Sequence, residues 1–112
     1  MAEEKNLQLI ENYSLRARVM ENLETVIDPE LGIDIVNLGL VYKVNIFEGG
    51  FCEIQMTLTT MDCPFVETIE EDIKKNLAEI PKISASSVKF VWYPAWDPDR
   101  MTRYARIALG MQ

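Results

Sequence analysis

The sequence predicts a two-layer α+β domain in which a small mixed sheet is covered on one face by two helices. Apolar residues recur at helical spacing in two separate segments, and two strand-like runs joined by glycines lie between those segments. A third strand-like run follows the second helical segment. The order helix, hairpin, helix, strand lacks regular β-α-β alternation, so it favours an α+β sandwich, completed by a short C-terminal helix.

The first predicted helix begins at about Ser14, its expected N-cap, and ends at Ile27. Its apolar positions are Leu15, Val19, Leu23, Val26 and Ile27. Asp28-Pro29 is expected to end the helix, because the residue before a proline is displaced from the α region. Residues 1–13 are predicted to be a flexible N-terminal segment, and residues 14–112 are predicted to form one domain.

Two strands are predicted from Leu40 to Phe47 and from Phe51 to Thr59, joined by a hairpin at Glu48-Gly49-Gly50. In the second strand the apolar residues alternate with polar ones, which predicts which side chains face the core. The inward set is Cys52, Ile54, Met56 and Leu58, and the outward set is Glu53, Gln55, Thr57 and Thr59. Because Cys52 is in phase with the core residues, it is interpreted as a small buried side chain.

A second amphipathic helix is predicted after Pro64. Its apolar positions are Val66, Ile69, Ile73, Leu77 and Ile80. Pro81 is expected to end it, and a polar turn at residues 84–87 then leads into a third strand from Val88 to Tyr93. The aromatic residues Trp92, Tyr93 and Trp96 are expected to anchor the following tail onto the sheet. Thr102 is expected to cap a final helix that ends near Gly110.

The composition excludes several classes of function. The chain has 112 residues and a formal charge of -7, which argues against binding to nucleic acid and to anionic membranes. No stretch approaches the ~20 apolar residues of a membrane span, and a cytoplasmic location is expected. The chain has two cysteines and no histidine, so neither a disulfide framework nor histidine-based acid/base catalysis is expected.

The segment Thr59-Thr60-Met61-Asp62-Cys63-Pro64 contains the strongest candidate for chemistry. Cys63 is expected at a helix N-cap, where unpaired amides and the positive end of the helix dipole favour thiolate over thiol. A thiolate there is suited to nucleophilic attack or to metal binding, although the neighbouring Asp62 opposes its ionisation. The alternative is an inert cysteine buried at the start of a helix.

Asp28 and Glu30 flank Pro29 and have two interpretations. They are either a turn residue and a solvated charge, or an acidic pair that serves as general base or as oxygen ligands for iron. Sequence alone does not place them beside Cys63. A zinc or [4Fe-4S] site normally needs four strong ligands, and a chain with two cysteines does not supply them unaided.

Four motifs occur in an order that resembles the small iron-sulfur cluster assembly domain family. They are Asp28-Pro29-Glu30-Leu31-Gly32, Asp34-Ile35-Val36-Asn37-Leu38-Gly39-Leu40-Val41, Thr59-Thr60-Met61-Asp62-Cys63-Pro64, and Pro94-Ala95-Trp96 with Arg100-Met101-Thr102. The family includes PaaD-like proteins and the eukaryotic cytosolic iron-sulfur assembly component. The match extends from about Leu15 to Gly110.

This resemblance implies a factor that assembles, carries or delivers iron-sulfur clusters rather than a turnover enzyme. It implies a polar pocket made of Asp28, Glu30, Thr59, Thr60 and Cys63, with Leu31 packed beside it. In this hypothesis Cys63 holds iron or a cluster transiently, and Asp28 and Glu30 complete the site. The implied partners are an iron-sulfur scaffold, apo-client proteins and a second copy of the chain, because a cluster needs ligands from more than one subunit.

Three other functions stay open. A metal-free adaptor would bring apo-clients to a separate scaffold, with the surface from Trp92 to Trp96 as the expected interface. A thiol transferase would use Cys63 as its nucleophile, without a histidine base to assist it. A PaaD-like component of a phenylacetate pathway is the third alternative.

Overall fold

The computed structural model describes residues 8–111, and the order of its elements confirms the predicted α+β sandwich. The elements are α1 (Tyr13–Leu23), β1 (Val41–Ile46), β2 (Phe51–Met56), α2 (Val66–Ala78), β3 (Ala85–Phe90), a 3₁₀ turn (Pro98–Arg100) and α3 (Arg103–Ala108). β2 is the central strand of a mixed sheet, antiparallel to β1 and parallel to β3. Both long helices contact the sheet and each other. None of the helices in the described part of the chain is long and apolar enough to cross a membrane.

The core lies between the sheet and the two long helices. The inward set predicted for the second strand is buried, and the apolar stripe of α2, apart from the half-buried Val66, is buried against it. The residues of these two elements that have no exposed surface are Cys52, Ile54, Met56, Ile69, Ile73 and Leu77. Thr57 was predicted to face outward and is 1% exposed. β2 has already ended at Met56, and the Thr57 N–H donates to the Leu40 carbonyl at 2.9 Å.

The first helix begins earlier and ends earlier than the sequence predicts. Asn12 is the N-cap instead of Ser14, because its side-chain oxygen accepts the N–H of Leu15 at 3.0 Å. The helix ends at Leu23 instead of Ile27. Its predicted last turn is replaced by a bridge between Ile27 and Asp34, so tertiary pairing overrides the helical spacing.

The third strand begins in the segment predicted to be a polar turn. It spans Ala85–Phe90 instead of Val88 to Tyr93, because Ala85 pairs with Phe51 and Phe90 pairs with Met56. The predicted second strand likewise stops at Met56 instead of Thr59. In both cases the extent of backbone pairing between β2 and β3, rather than β propensity, determines where the strand ends.

The described residues that precede α1 contact the hairpin formed by β1 and β2. Leu9 forms a bridge with Phe47, and the N–H of Ile10 donates to the Ile46 carbonyl at 2.8 Å. These residues belong to the predicted flexible segment 1–13, of which residues 1–7 lie outside the described residues.

The C-terminal segment docks on the connection between α1 and β1 through polar contacts. Trp96 anchors it, because its indole N–H donates to the Leu38 carbonyl at 2.7 Å. Tyr93 does not anchor it, since its side chain is 90% exposed. Thr102 caps α3, as predicted, by accepting the N–H of Ala105. The Thr102 hydroxyl also donates to Asn37 Oδ1 at 2.8 Å.

Gly39 allows the C-terminal segment to approach the connection closely. Its φ is +77°, and a Cβ added there would meet the backbone carbonyl of Arg100. Gly32 has a similar φ of +73° but open space around it. Substituting alanine at each of the two glycines therefore distinguishes the cost of the backbone conformation alone, at Gly32, from that cost combined with a steric clash, at Gly39.

We predict that Gly32→Ala lowers the free energy of unfolding by about 1 kcal/mol, the cost of a left-handed alanine. Gly39→Ala should lower it by about 2–4 kcal/mol, because the methyl group also forces the Arg100 backbone away. Urea unfolding of the two variants measures the difference. Equal losses would contradict the close packing at Gly39.

Candidate functional site

Cys63 lies in the turn that leads from the sheet to α2. It is 8% exposed and belongs to the apolar core cluster, whereas its neighbours Met61, Asp62 and Pro64 are exposed. It is not the N-cap predicted from the sequence. Phe65 occupies that position without a side-chain cap bond, because α2 begins at Val66, two residues after Pro64. Cys63 is therefore a nearly buried thiol beneath an exposed turn.

The two cysteines differ in burial. Cys52 has no exposed surface, and this burial raises the pKa of its thiol from 9.0 to about 11. Its predicted place in the core is confirmed. Cys63 is the thiol that retains some contact with solvent, so it is the better placed of the two for chemistry.

The two threonines of the candidate segment take different positions. Thr59 is half-buried, whereas Thr60 is exposed and its Oγ1 accepts the N–H of Asp62 at 3.0 Å. This bond stabilises the turn immediately before Cys63. The Thr60 hydroxyl thus supports the local backbone, a role that the sequence motif did not specify.

Asp28 is buried and is used by its own turn. Its side chain is 1% exposed, and Oδ1 accepts the backbone N–H groups of Glu30 at 2.8 Å and Leu31 at 3.2 Å. Gly32 N–H donates to the Asp28 carbonyl at 2.8 Å. Glu30, in contrast, is exposed to solvent. The structure therefore separates the acidic pair into a carboxylate that holds a turn and one that is solvated.

The predicted site residues do not form one hydrogen-bonded cluster. Within residues 8–111, no side-chain hydrogen bond joins Asp28 or Glu30 to Thr59, Thr60 or Cys63. That part of the chain also contains no group of three or more cysteine and carboxylate side chains arranged to hold a metal ion.

A second buried carboxylate was not singled out from the sequence. Asp34 is 7% exposed, and its two oxygens accept the backbone and side-chain N–H groups of Asn37 at 2.9 Å and 2.8 Å. Asn37 in turn contacts Thr102, so Asp34 orients the connection toward the C-terminal segment. Both residues lie within the sequence motifs, and only the tertiary contacts indicate their role.

Comparison with known proteins identifies the family. The family model described as "Iron-sulfur cluster assembly protein" matches residues 16–90, which include Asp28, Glu30, both threonines and Cys63. The chain belongs to the iron-sulfur cluster assembly protein family. The resemblance stated from the sequence motifs is thereby confirmed.

Two curated relatives are bacterial proteins. The chain is 52% identical over 99 residues to the Fe-S protein maturation auxiliary factor YitW of Bacillus subtilis, which covers 88% of this chain and 97% of that protein. It is 59% identical over 86 residues to the Fe-S protein maturation auxiliary factor SufT of Staphylococcus aureus, with coverage of 77% and 98%.

A solved structure from the family has the same fold. It is a domain of unknown function, DUF59, from Bacillus anthracis, with a TM-score of 0.84 and 46% sequence identity. The match covers 89% of this chain and 95% of that chain.

We predict that the pKa of Cys52 makes stability depend on pH. The thiol ionises near 9.0 when unfolded and near 11 when folded, so the folded state holds its proton longer. The contribution of the buried, protonated Cys52 thiol to the free energy of unfolding is complete below pH 9 and is lost as the pH rises toward 11. The free energy of unfolding then falls by at most ~1.4 kcal/mol per pH unit. Urea unfolding of wild type and Cys52→Ala from pH 7 to 10.5 should show the stability gap narrowing. A constant gap would refute the pKa assignment.

We predict that Asp28→Ala lowers the free energy of unfolding by about 1–3 kcal/mol, because two backbone N–H groups lose their acceptor. Asp28→Asn should cost less, since its amide oxygen still accepts these bonds. Glu30→Gln, at an exposed position, should stay within about 0.5 kcal/mol of wild type. Urea unfolding of the three variants tests this order. If Asp28→Ala were as mild as Glu30→Gln, the carboxylate would not be holding the turn.

Proposed function

We propose that this protein is an accessory factor that assembles, carries or delivers iron-sulfur clusters to apo-proteins through the Cys63 thiolate. The observation that supports this most is the position of Cys63. It is the less buried of the two thiols and follows an exposed turn in the matched domain. The names of the relatives, both maturation auxiliary factors, support the same class of function.

The cluster is cargo in this proposal and is shared between chains. Cys63 supplies one thiolate, and Cys52 is enclosed in the core. A cluster bound by cysteines normally has four such ligands. Two copies of the chain, or one copy with a scaffold or an apo-client, would therefore hold it together. Because no single partner supplies all the ligands of the cluster, this arrangement favours transfer of the cluster over its storage.

Of the remaining motif residues, two stabilise the turns of the site and one can ligate iron. Asp28 and Thr60 fix the turns on which Glu30 and Cys63 lie, since their side-chain oxygens accept backbone N–H groups. Glu30 is the exposed carboxylate of the pair and is free to ligate iron as cargo arrives. We place this activity in the cytoplasm, where a reducing environment keeps thiols available.

A metal-free adaptor is the second candidate. The observation that favours it is the exposure of two neighbouring aromatic side chains, Trp92 at 41% and Tyr93 at 90%. Exposed aromatic residues are enriched at protein interfaces. In this function the chain would bring apo-clients to a scaffold without holding iron.

We predict that Cys63→Ser lowers the rate of cluster transfer to a recipient apo-protein by more than roughly tenfold, because a direct ligand is lost. Cys52→Ala should be less stable yet transfer clusters at nearly the wild-type rate. The measurement is the recovery of recipient activity under anaerobic conditions with each variant at equal concentration.

The same assay separates the two candidate functions. If Cys63→Ser delivered clusters normally and a Trp92→Ala, Tyr93→Ala double variant did not, the adaptor function would replace the carrier function.

A further inference from the structure

A cleft of about 630 Å³ lies on the face of the sheet that the two long helices leave open. Lys43 and Gln55, which pair across β1 and β2, line it. The neighbouring residues Val44 and Ile54 are buried in the core, and side chains alternate along a strand, so Lys43 and Gln55 face away from the helices. The segment that follows β3 and the residue Arg100 form the walls.

The cleft is basic although the chain is acidic. Lys43 and Arg100 line it, in a chain with a formal charge of -7, and no carboxylate does, although Glu53 on the same face of β2 accepts a hydrogen bond from the Gln55 side chain at 3.1 Å. Within residues 8–111 the ion pairs are Lys74 with Glu70 and Arg106 with Asp99. Lys43 and Arg100 therefore have no carboxylate partner in that part of the chain.

Arg100 is held in position by an aromatic ring. Its guanidinium carbon lies 4.6 Å from the centroid of the Tyr42 ring, and the Tyr42 hydroxyl donates to the Pro94 carbonyl at 2.9 Å. A stacked guanidinium keeps its N–H groups directed outward, where they form paired hydrogen bonds to carboxylate or phosphate oxygens. The cleft is thus prepared for an anion before one binds.

A smaller cleft of about 270 Å³ adjoins the first and shares Val41, Tyr42 and Lys43 with it. The smaller cleft is lined also by Arg16 and Met20 of α1 and by the core-facing Val44, so it lies on the side of β1 that faces α1 and outside the open face of the sheet.

We propose that the basic cleft, formed by Tyr42, Lys43, Gln55, Tyr93 and Arg100, binds a small organic anion with two or more carboxylate or phosphate groups. Two cations in the main cleft match a dianion in charge. Its volume lies within the range of small-molecule sites, about 300–1,000 Å³. The ring of Tyr93, 90% exposed at the rim, offers an apolar surface to the organic part of the ligand.

The test is a titration of ¹⁵N-labelled protein with citrate and, separately, with pyrophosphate at constant ionic strength. Backbone amide shifts should saturate and be confined to residues 41–43, Gln55, Tyr93 and Arg100. A Lys43→Gln, Arg100→Gln double variant should bind at least tenfold more weakly, since both charged hydrogen-bond donors of the cleft are lost. The single variant Lys43→Gln, at an exposed position, should retain the fold and still bind more weakly.

The matched control is Lys75→Gln, Lys82→Gln, which removes the same charge from exposed positions outside the cleft. It should bind as wild type does. Binding of citrate alone would assign the site to carboxylates, and binding of pyrophosphate alone would assign it to phosphates; either supports the proposal. The proposal is overturned if neither anion gives saturable shifts, if the control loses as much affinity, or if only a glutamate-rich peptide binds.

Discussion

The parallel pairing of β2 with β3 is the constraint on which the rest of the structure depends. Two parallel neighbours cannot be joined by a tight turn, because the chain must return from the end of one strand to the start of the next. α2 makes that return and covers the apolar face of the sheet as it does so. The turn that carries Cys63 is the first part of this crossover. Its position at the end of β2 is therefore a consequence of the topology.

A second set of contacts fixes the connection between α1 and β1. The buried carboxylates Asp28 and Asp34 each accept backbone N–H groups in this connection, and the C-terminal segment clamps it through Trp96 and Thr102. Polar residues that suggest chemistry in the sequence thus have structural partners in the fold. Cys63 differs from them, because its surroundings are apolar on one side and an exposed turn on the other.

Much of the fold was predictable, because it is encoded by periodicity. The periodicity of the second helix and of the second strand predicted the buried residues with two exceptions, because periodicity shows which face of an element meets the core. Val66 is half-buried, and Thr57, predicted to face outward, is buried. The ends of α1 and β3 were not predictable. They depend on the bridge between Ile27 and Asp34 and on the pairing of Ala85 with Phe51, which are contacts between distant residues.

The residues of the candidate site stay a prediction from motif order, and their geometry was not predictable from the sequence. Motif order identified Cys63 and its neighbours, but Phe65 rather than Cys63 caps α2. The hydrogen bonds of Asp28 and Asp34 required the folded backbone. The basic cleft could not be predicted from the sequence, because Lys43 and Arg100 are far apart along a chain whose net charge is negative.

The most direct test of the central claim is anaerobic native mass spectrometry after incubation with iron, sulfide and reductant. With a recipient apo-protein present, a cargo site built on Cys63 predicts a species in which one cluster joins two wild-type chains, or one wild-type chain and the recipient, and the absence of that species for Cys63→Ser. A cluster held equally by Cys63→Ser, or no cluster-bridged species of the wild-type chain with or without the recipient, would contradict the claim.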